Sequence, residues 1–417
     1  MARHPLDLDL SRTFVAFFAL ISIASVTVNP VQYSVAVNLR YVLIAVVLAL
    51  ISKMGLAAIR AGTSGRDLFA FGCVLLGLYA YALTLSIAHG GFVFFGANKA
   101  LLVFLLISFL YGNVVFMVLR RMWSDPGYMC SGTPGLSAYF LVTVGCVLAF
   151  GGLEWSFPPV MKFQTPDGQI DYYSQGFTKF CAMGGVYFFA KANQDKSMPG
   201  YLLAMLFFVF SLLGGARGDV LAGLLALLLL VFRRPRLVHF ALLGAVSAGL
   251  FMFVMANQDL WGEITLLRRM IVTSGGDLGM RDILAIQAVD VLERNPTCAL
   301  IGCGFNFFQV AMGYGYDVYP HNVFLESFIT FGMLAGGVFG LFSLVGAYSL
   351  YRRVGSNPFF YFFVIEYIVS MKSGSLIDFS ALPVLLSFAF FGFHAVGLSL
   401  RSRMRATGRG HASVTGG

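Results

Sequence analysis

Charge is what this chain has least of. Asp, Glu, Lys and Arg make up 11% of its 417 residues, against about 25% in a typical soluble domain, so a polar shell around a soluble core is excluded. No basic patch interleaved with aromatic residues occurs, which removes nucleic acid as a partner. The six cysteines lack the spacing of a zinc ribbon, and no pair of carboxylates marks a metal site. No internal repeat of the kind found in inverted-repeat transporters is visible. The first apolar run lacks a small-residue cleavage site after it, so it is expected to remain as a membrane span.

What is present is hydrocarbon: 58% hydrophobic residues, 43 of the side chains phenylalanine, and a mean hydropathy of +0.81. Roughly 17 to 25 apolar residues cross a hydrocarbon core. About twelve such windows are readable, beginning near Thr13, Tyr41, Leu68, Asn98, Leu136, Gly176, Pro199, Val220, Val238, Asn322, Pro358 and Ala381. The expected fold class is all-α, a polytopic integral membrane protein. Basic residues collect in cytoplasmic loops. An even number of spans with both termini inside puts Lys53, Arg60, Arg66, Arg120, Arg121, Lys191, Lys196, the Arg233–Arg236 cluster, Arg352, Arg353 and the Arg401–Arg409 tail on that side. The net charge of +9 then reflects orientation and attraction to anionic lipid. The chain divides into spans over 1–256, a long outer loop over 257–320, further spans over 321–400 and a basic tail over 401–417.

The long loop carries the local signals. Arg281 to Arg294 places Leu284, Ala288, Val291 and Leu292 at helical spacing, which predicts an amphipathic helix on the membrane surface. Asn295-Pro296 ends it, and Gly302-Cys303-Gly304-Phe305 reads as a flexible turn. Cys298 and Cys303 fall in this outer segment, where oxidation can join them or leave two thiols; the other cysteines read as small buried hydrophobes.

Candidates for chemistry are few. His321 stands between Pro320 and Asn322 at a helix start, and an imidazole with an ordinary pKa of about 6.5 suits proton transfer at neutral pH. A lone interfacial histidine is more often structural, so it needs partners. Arg217, in Gly214-Gly215-Ala216-Arg217-Gly218-Asp219, lies between two apolar helices on the side where positive charge is disfavoured. It is either paired with Asp219 or placed to bind an anion. Arg281 opens a helix against the helix dipole, which an anionic partner explains. Arg268 and Arg269 fit lipid head groups as well as substrate. Glu326, just over a turn beyond His321, is a further candidate, while Glu366, Lys99, Lys179 and Lys372 line a cavity or pair with one another.

In this order, a short Arg-Gly turn, a long loop with a second arginine, a Gly-x-Gly-Phe turn and His321-Asn322 leading to Gly332 and Gly336, the chain resembles the bacterial O-antigen polymerase and O-antigen ligase superfamily. The likeness runs from about Leu202 to Phe342 and departs at Ala335, where the ligase motif has glycine, threonine or tyrosine. The resemblance implies an inverting, metal-independent transfer on the periplasmic face of the bacterial inner membrane, with no cofactor and no nucleotide sugar. The donor would be an oligosaccharide on undecaprenyl diphosphate. The acceptor would be a sugar hydroxyl of another lipid-linked repeat for a polymerase, the favoured reading, or of the lipid A core for a ligase. Arg217 and Arg281 would hold the diphosphate and His321 would take the acceptor proton, with Arg268, Arg269, Asn322 and Glu326 contacting substrate. A chain-length regulator is a further partner of such polymerases. A polysaccharide flippase is the alternative of another class, with charges distributed through mid-membrane helices.

Overall fold

The computed structural model describes residues 5–26, 35–36, 38–50, 64–98, 100–128, 134–150, 152–154, 160–164, 170–171, 174–233, 235, 280–315, 318–373, 375–377 and 380–412. The chain is mostly helical. Its helices are α1 (Pro5–Ser22), α2 (Asn38–Leu50), α3 (Ser64–Ala88), α4 (Val93–Ala97), α5 (Ala100–Ser124), α6 (Pro134–Ala149), α7 (Gln175–Asp195), α8 (Met198–Leu213) and α9 (Arg217–Arg233). After them come α10 (Met280–Arg294), α11 (Pro296–Ile301), α12 (Phe307–Met312), α13 (Val323–Phe331), α14 (Met333–Val354), α15 (Pro358–Ser373) and α16 (Ala381–Ala412). Two short antiparallel strand pairs, Leu153–Glu154 with Val160–Met161 and Phe163–Gln164 with Ile170–Asp171, occupy the proline-containing loop before α7.

Among the described residues three helices are long and apolar enough to cross a membrane: Asp67–Ala88, Leu101–Ser124 and Met333–Val354. Leu10–Leu20, Asn38–Leu50, Gly135–Ala149, Met198–Leu213 and Ala381–Gly397 are apolar but shorter. The window near Val238 lies outside the described residues.

The helices group into two units, each drawn from segments far apart in sequence. One comprises residues 1–66, 120–282 and 355–369. Its core is aromatic, as the phenylalanine content leads one to expect: the Phe140 ring lies 4.8 Å from that of Phe180 and 5.7 Å from that of Phe207, and Phe18 stacks on Phe362 at 5.4 Å. Such pairs add about 0.5–1.5 kcal/mol each beyond their buried area. Glycine brings α7 and α8 close, since a Cβ at Gly184 would strike the Phe207 ring. Serine caps start both helices, Ser174 accepting from the Phe177 amide and Ser197 from the Gly200 amide.

The other unit comprises residues 67–119, 283–354 and 370–417. Here α14 and α16 cross at paired glycines: a Cβ on Gly346 would meet the Phe388 carbonyl, and one on Gly392 the Phe342 carbonyl. Small residues at such crossings let helix backbones touch, the usual device for packing within a bilayer.

One expectation is corrected here. The window starting at Asn322 is not one helix. The chain ends α13 at Phe331, turns at Gly332 with φ +87° and ψ 155°, and runs α14 back along α13, so that Gly336 packs on Phe328 and Gly340 on Phe324. With 9 residues, α13 is about 13 Å long, far short of a hydrocarbon core.

The amphipathic helix expected from Arg281 is present as α10. Its apolar face, Leu284, Ala288, Val291 and Leu292, is buried against Phe308 and Ile329, so that face serves protein packing. On the outward side Ile283, Ile286 and Val289 alternate with Asp282 and Glu293, a mixture that suits no purely apolar phase.

Candidate active site

The Gly302-Cys303-Gly304-Phe305 turn, expected to be flexible, is buried and held on two sides. All four residues are buried. Cys303 N–H donates to the Ile329 carbonyl at 2.8 Å and Gly304 N–H to the Thr330 carbonyl at 3.2 Å, tying the turn to the end of α13. On its other side the Ser86 hydroxyl of α3 donates to the Phe305 carbonyl at 3.1 Å. Cys298 and Cys303 are joined as a disulfide across the end of α11, which settles the alternative left open by the sequence. Mass spectrometry of unreduced, alkylated protein is expected to find the two cysteines linked; two alkylated thiols would contradict this.

Gly302 and Gly332 end α11 and α13 in the same way, at φ +88°, ψ 165° and φ +87°, ψ 155°, a region essentially restricted to glycine. They also face each other: a Cβ on Gly302 would meet the Thr330 carbonyl and one on Gly332 the Leu300 carbonyl. Alanine at either position is therefore expected to lower unfolding stability by at least about 1–3 kcal/mol. Thermal unfolding in detergent measures this, and an unchanged midpoint would contradict it.

At the other end of the locked α13 stands His321. Its backbone is left-handed, φ +53°, a conformation uncommon for non-glycine residues but tolerated several-fold better by histidine than by most. The imidazole lies against the Tyr319 ring, 4.2 Å between centroids, and is partly exposed. Asn322 is the N-cap: its side-chain oxygen accepts from the Phe324 and Leu325 amides at 3.0 and 3.1 Å. This satisfies two of the amides that a helix start leaves open and fixes the step out of the left-handed turn. The role found for Asn322 is thus to hold the backbone that presents His321.

Glu326 is buried, and both of its oxygens are engaged. Ser375 Oγ donates to one at 2.9 Å and Leu376 N–H to the other at 2.9 Å. The carboxylate ties α13 to the turn ahead of α16. His321, Asn322 and Glu326 therefore belong to one helix start, with the partly exposed imidazole as its chemical group.

Arg217 belongs to the first unit and is partly exposed as the first residue of α9. The turn before it is built by α7: Ser174 N–H donates to the Gly214 carbonyl at 3.0 Å, and Ala216 N–H donates to Thr178 Oγ1 at 3.3 Å. Gly215 takes φ +78°. A Cβ on Gly214 would strike Thr178 Oγ1. Gly214 is thus explained by close docking and Gly215 by its positive φ. Thr178 escaped sequence reasoning, because a threonine inside an apolar run gives no sign that it braces a turn far along the chain.

Arg281, partly exposed, is the second residue of α10, beside Asp282. Arg268 and Arg269 lie outside the described residues. Lys179 and Glu366, left as lining or as a pair, form an ion pair, with the ammonium 3.1 and 3.3 Å from the two carboxylate oxygens. Among the described residues no group of three or more His, Cys, Asp or Glu side chains is placed to hold a metal ion. The chain matches no known protein family, no curated protein and no solved structure.

Proposed function

We propose that the chain is a membrane glycosyltransferase that moves an undecaprenyl-diphosphate-linked glycan onto a sugar hydroxyl, as the polymerase of an O-antigen-type surface polysaccharide. The observation that carries this reading is His321, a partly exposed imidazole on a left-handed residue braced by an N-cap below it and a ring beside it. Backbone conformations of this kind concentrate at functional sites because the surroundings must over-determine them. In the reaction His321 accepts the proton of the acceptor hydroxyl as its oxygen bonds to the anomeric carbon. The bond from that carbon to the diphosphate breaks, and the leaving group departs with the electron pair. Arg217 and Arg281 stabilise the charge that develops there.

The arrangement in the membrane belongs to the same reading: about twelve spans, both termini in the cytoplasm and the active site on the periplasmic face of the inner membrane. The Cys298–Cys303 disulfide supports it, since disulfides persist in oxidising compartments.

The test is the surface glycan of a strain lacking the gene, rescued by wild type. Single repeats attached to the envelope in the deleted strain, and long chains on rescue, are the expected result. Long polymer stranded on undecaprenyl diphosphate would instead make the acceptor the lipid A core and the enzyme a ligase. Unchanged glycan would remove both.

A further inference from the structure

In the unit formed by residues 67–119, 283–354 and 370–417, a cleft of about 490 Å³ lies among α3, α14 and α16, a volume in the range of small-molecule sites. Phe71, Leu75, Phe339, Phe390 and Phe393 line it, and among the described residues His394 is its one polar side chain. Because α3 and α14 are long and apolar enough to cross a membrane, the medium beside the cleft is hydrocarbon.

The course of the helices tells the two ends of the cleft apart. Tyr81 and Ser86, late in α3, donate to the Ile301 and Phe305 carbonyls, and a Cβ on Gly332, just before α14, would meet the Leu300 carbonyl. Thus α14 starts where α3 ends and runs back along it. The Phe71 ring lies 6.2 Å from that of Phe390, whereas Leu75, one turn later in α3, meets Pro383 over Gly112. So α16 also opposes α3, and α14 and α16 run parallel, level with each other at Gly346 and Gly392.

Their apolar stretches end together. That of α14 closes at Val354 with Arg352 and Arg353 in its last turn, and that of α16 closes at Gly397, at the His394 end of the cleft. Arg353 stands about 10 Å along α14 from Gly346, and Gly397 about 8 Å along α16 from Gly392. Phe339, Gly346 and Arg353 recur at heptad spacing, so the arginine falls on the face of α14 that carries the cleft. In sequence Arg401 follows His394 at the same interval. Asp67, in the first turn of α3, is the acidic residue at this end, and the two arginines of α14 outweigh it. A cleft that is apolar along its length and basic at one end matches a lipid with a negative head group, the partner that basic pockets between membrane helices take.

We propose that the cleft seats an acyl chain of an anionic phospholipid, drawn from the leaflet on which α14 and α16 end, with the lipid phosphate at Arg353 and His394. The site is independent of the chemistry at His321.

The experiment is native mass spectrometry of the full chain in detergent, titrated with phosphatidylglycerol, phosphatidylcholine or undecaprenyl diphosphate. Wild type is compared with Gly397→Leu and with Arg353→Gln combined with His394→Gln. Gly397 lines the cleft and a Cβ there meets nothing within 4 Å, so leucine fills the space without displacing a neighbour, and it favours the helix. The expected result is one phosphatidylglycerol per wild-type chain, held about 5- to 30-fold more tightly than phosphatidylcholine, the worth of one or two cations beside a head group. Gly397→Leu should weaken both phospholipids by about 10-fold while keeping the wild-type thermal midpoint, because the chain loses its contacts in the cleft. The double variant should bring phosphatidylglycerol to the level of phosphatidylcholine. Equal affinity of wild type for the two phospholipids would overturn the proposal, and that comparison needs no variant to fold. Wild-type affinities in Gly397→Leu would overturn it as well. Undecaprenyl diphosphate retained in preference to both, and lost in Gly397→Leu, would give the cleft to the polyprenyl chain instead.

Discussion

Replacing His321 by alanine is expected to lower glycan transfer by about 100-fold to 10,000-fold, the usual contribution of a general base, with the protein retained in the membrane at its normal level. The structure makes this separable from a folding defect. His321 is partly exposed, and the brace of α13 lies in other residues: Asn322 at its start, Glu326 on the Ser375–Leu376 turn, and Gly302 and Gly332 at its end. The residue most at risk of a purely conformational effect is the backbone at φ +53°. Alanine pays roughly 1–2 kcal/mol in that region, while asparagine enters it readily. His321→Asn is therefore the informative companion. It preserves the turn, lacks a base, and is expected to be as inactive as alanine. Wild-type turnover in His321→Asn would remove proton transfer from this residue.

The second large effect is expected at Arg217. Alanine there should reduce transfer by about 100- to 1,000-fold, the loss seen when one donor to a developing anion is removed. Lysine should rescue little, because a compact ammonium does not reproduce the planar fork that binds two phosphate oxygens at once. The turn itself should survive either change, since its geometry comes from Gly214, Gly215 and the bonds from Ser174 and Thr178. Steady-state transfer at matched expression decides this. If Arg217→Lys were as active as wild type, charge alone would suffice and the bidentate geometry would be wrong.

Much of the helical scaffold was legible because long apolar runs have few other structures open to them, and α10 was placed within a residue by the spacing of its leucines. What that face packs against was not legible. Leu284, Ala288, Val291 and Leu292 look alike whether they meet lipid or Phe308 and Ile329, since both partners are hydrocarbon. The break at Gly332 was also hidden. A glycine in an apolar run reads as filler, and its need for φ +87° exists only because the Leu300 carbonyl occupies the space beside it. The same holds for Gly302-Cys303-Gly304, read as loose and found packed.

The sequence singled out His321 and Arg217 from the rarity of polar groups in so apolar a chain. It did not reveal that Glu326 is an anchor, because hydrogen-bond partners 50 residues away leave no local trace; the Asn322 cap, with partners two and three residues on, is a local feature.

The central claim is chemical transfer from a lipid diphosphate, and reconstitution tests it most directly. Purified protein in liposomes would receive undecaprenyl-diphosphate-linked repeats alone, and the products would be separated by size and by lipid. The account predicts glycans of two or more repeats together with released undecaprenyl diphosphate from wild type, and neither from His321→Asn. Repeats that remained single, with no diphosphate released under conditions where the wild-type protein is folded and binds the lipid, would contradict it.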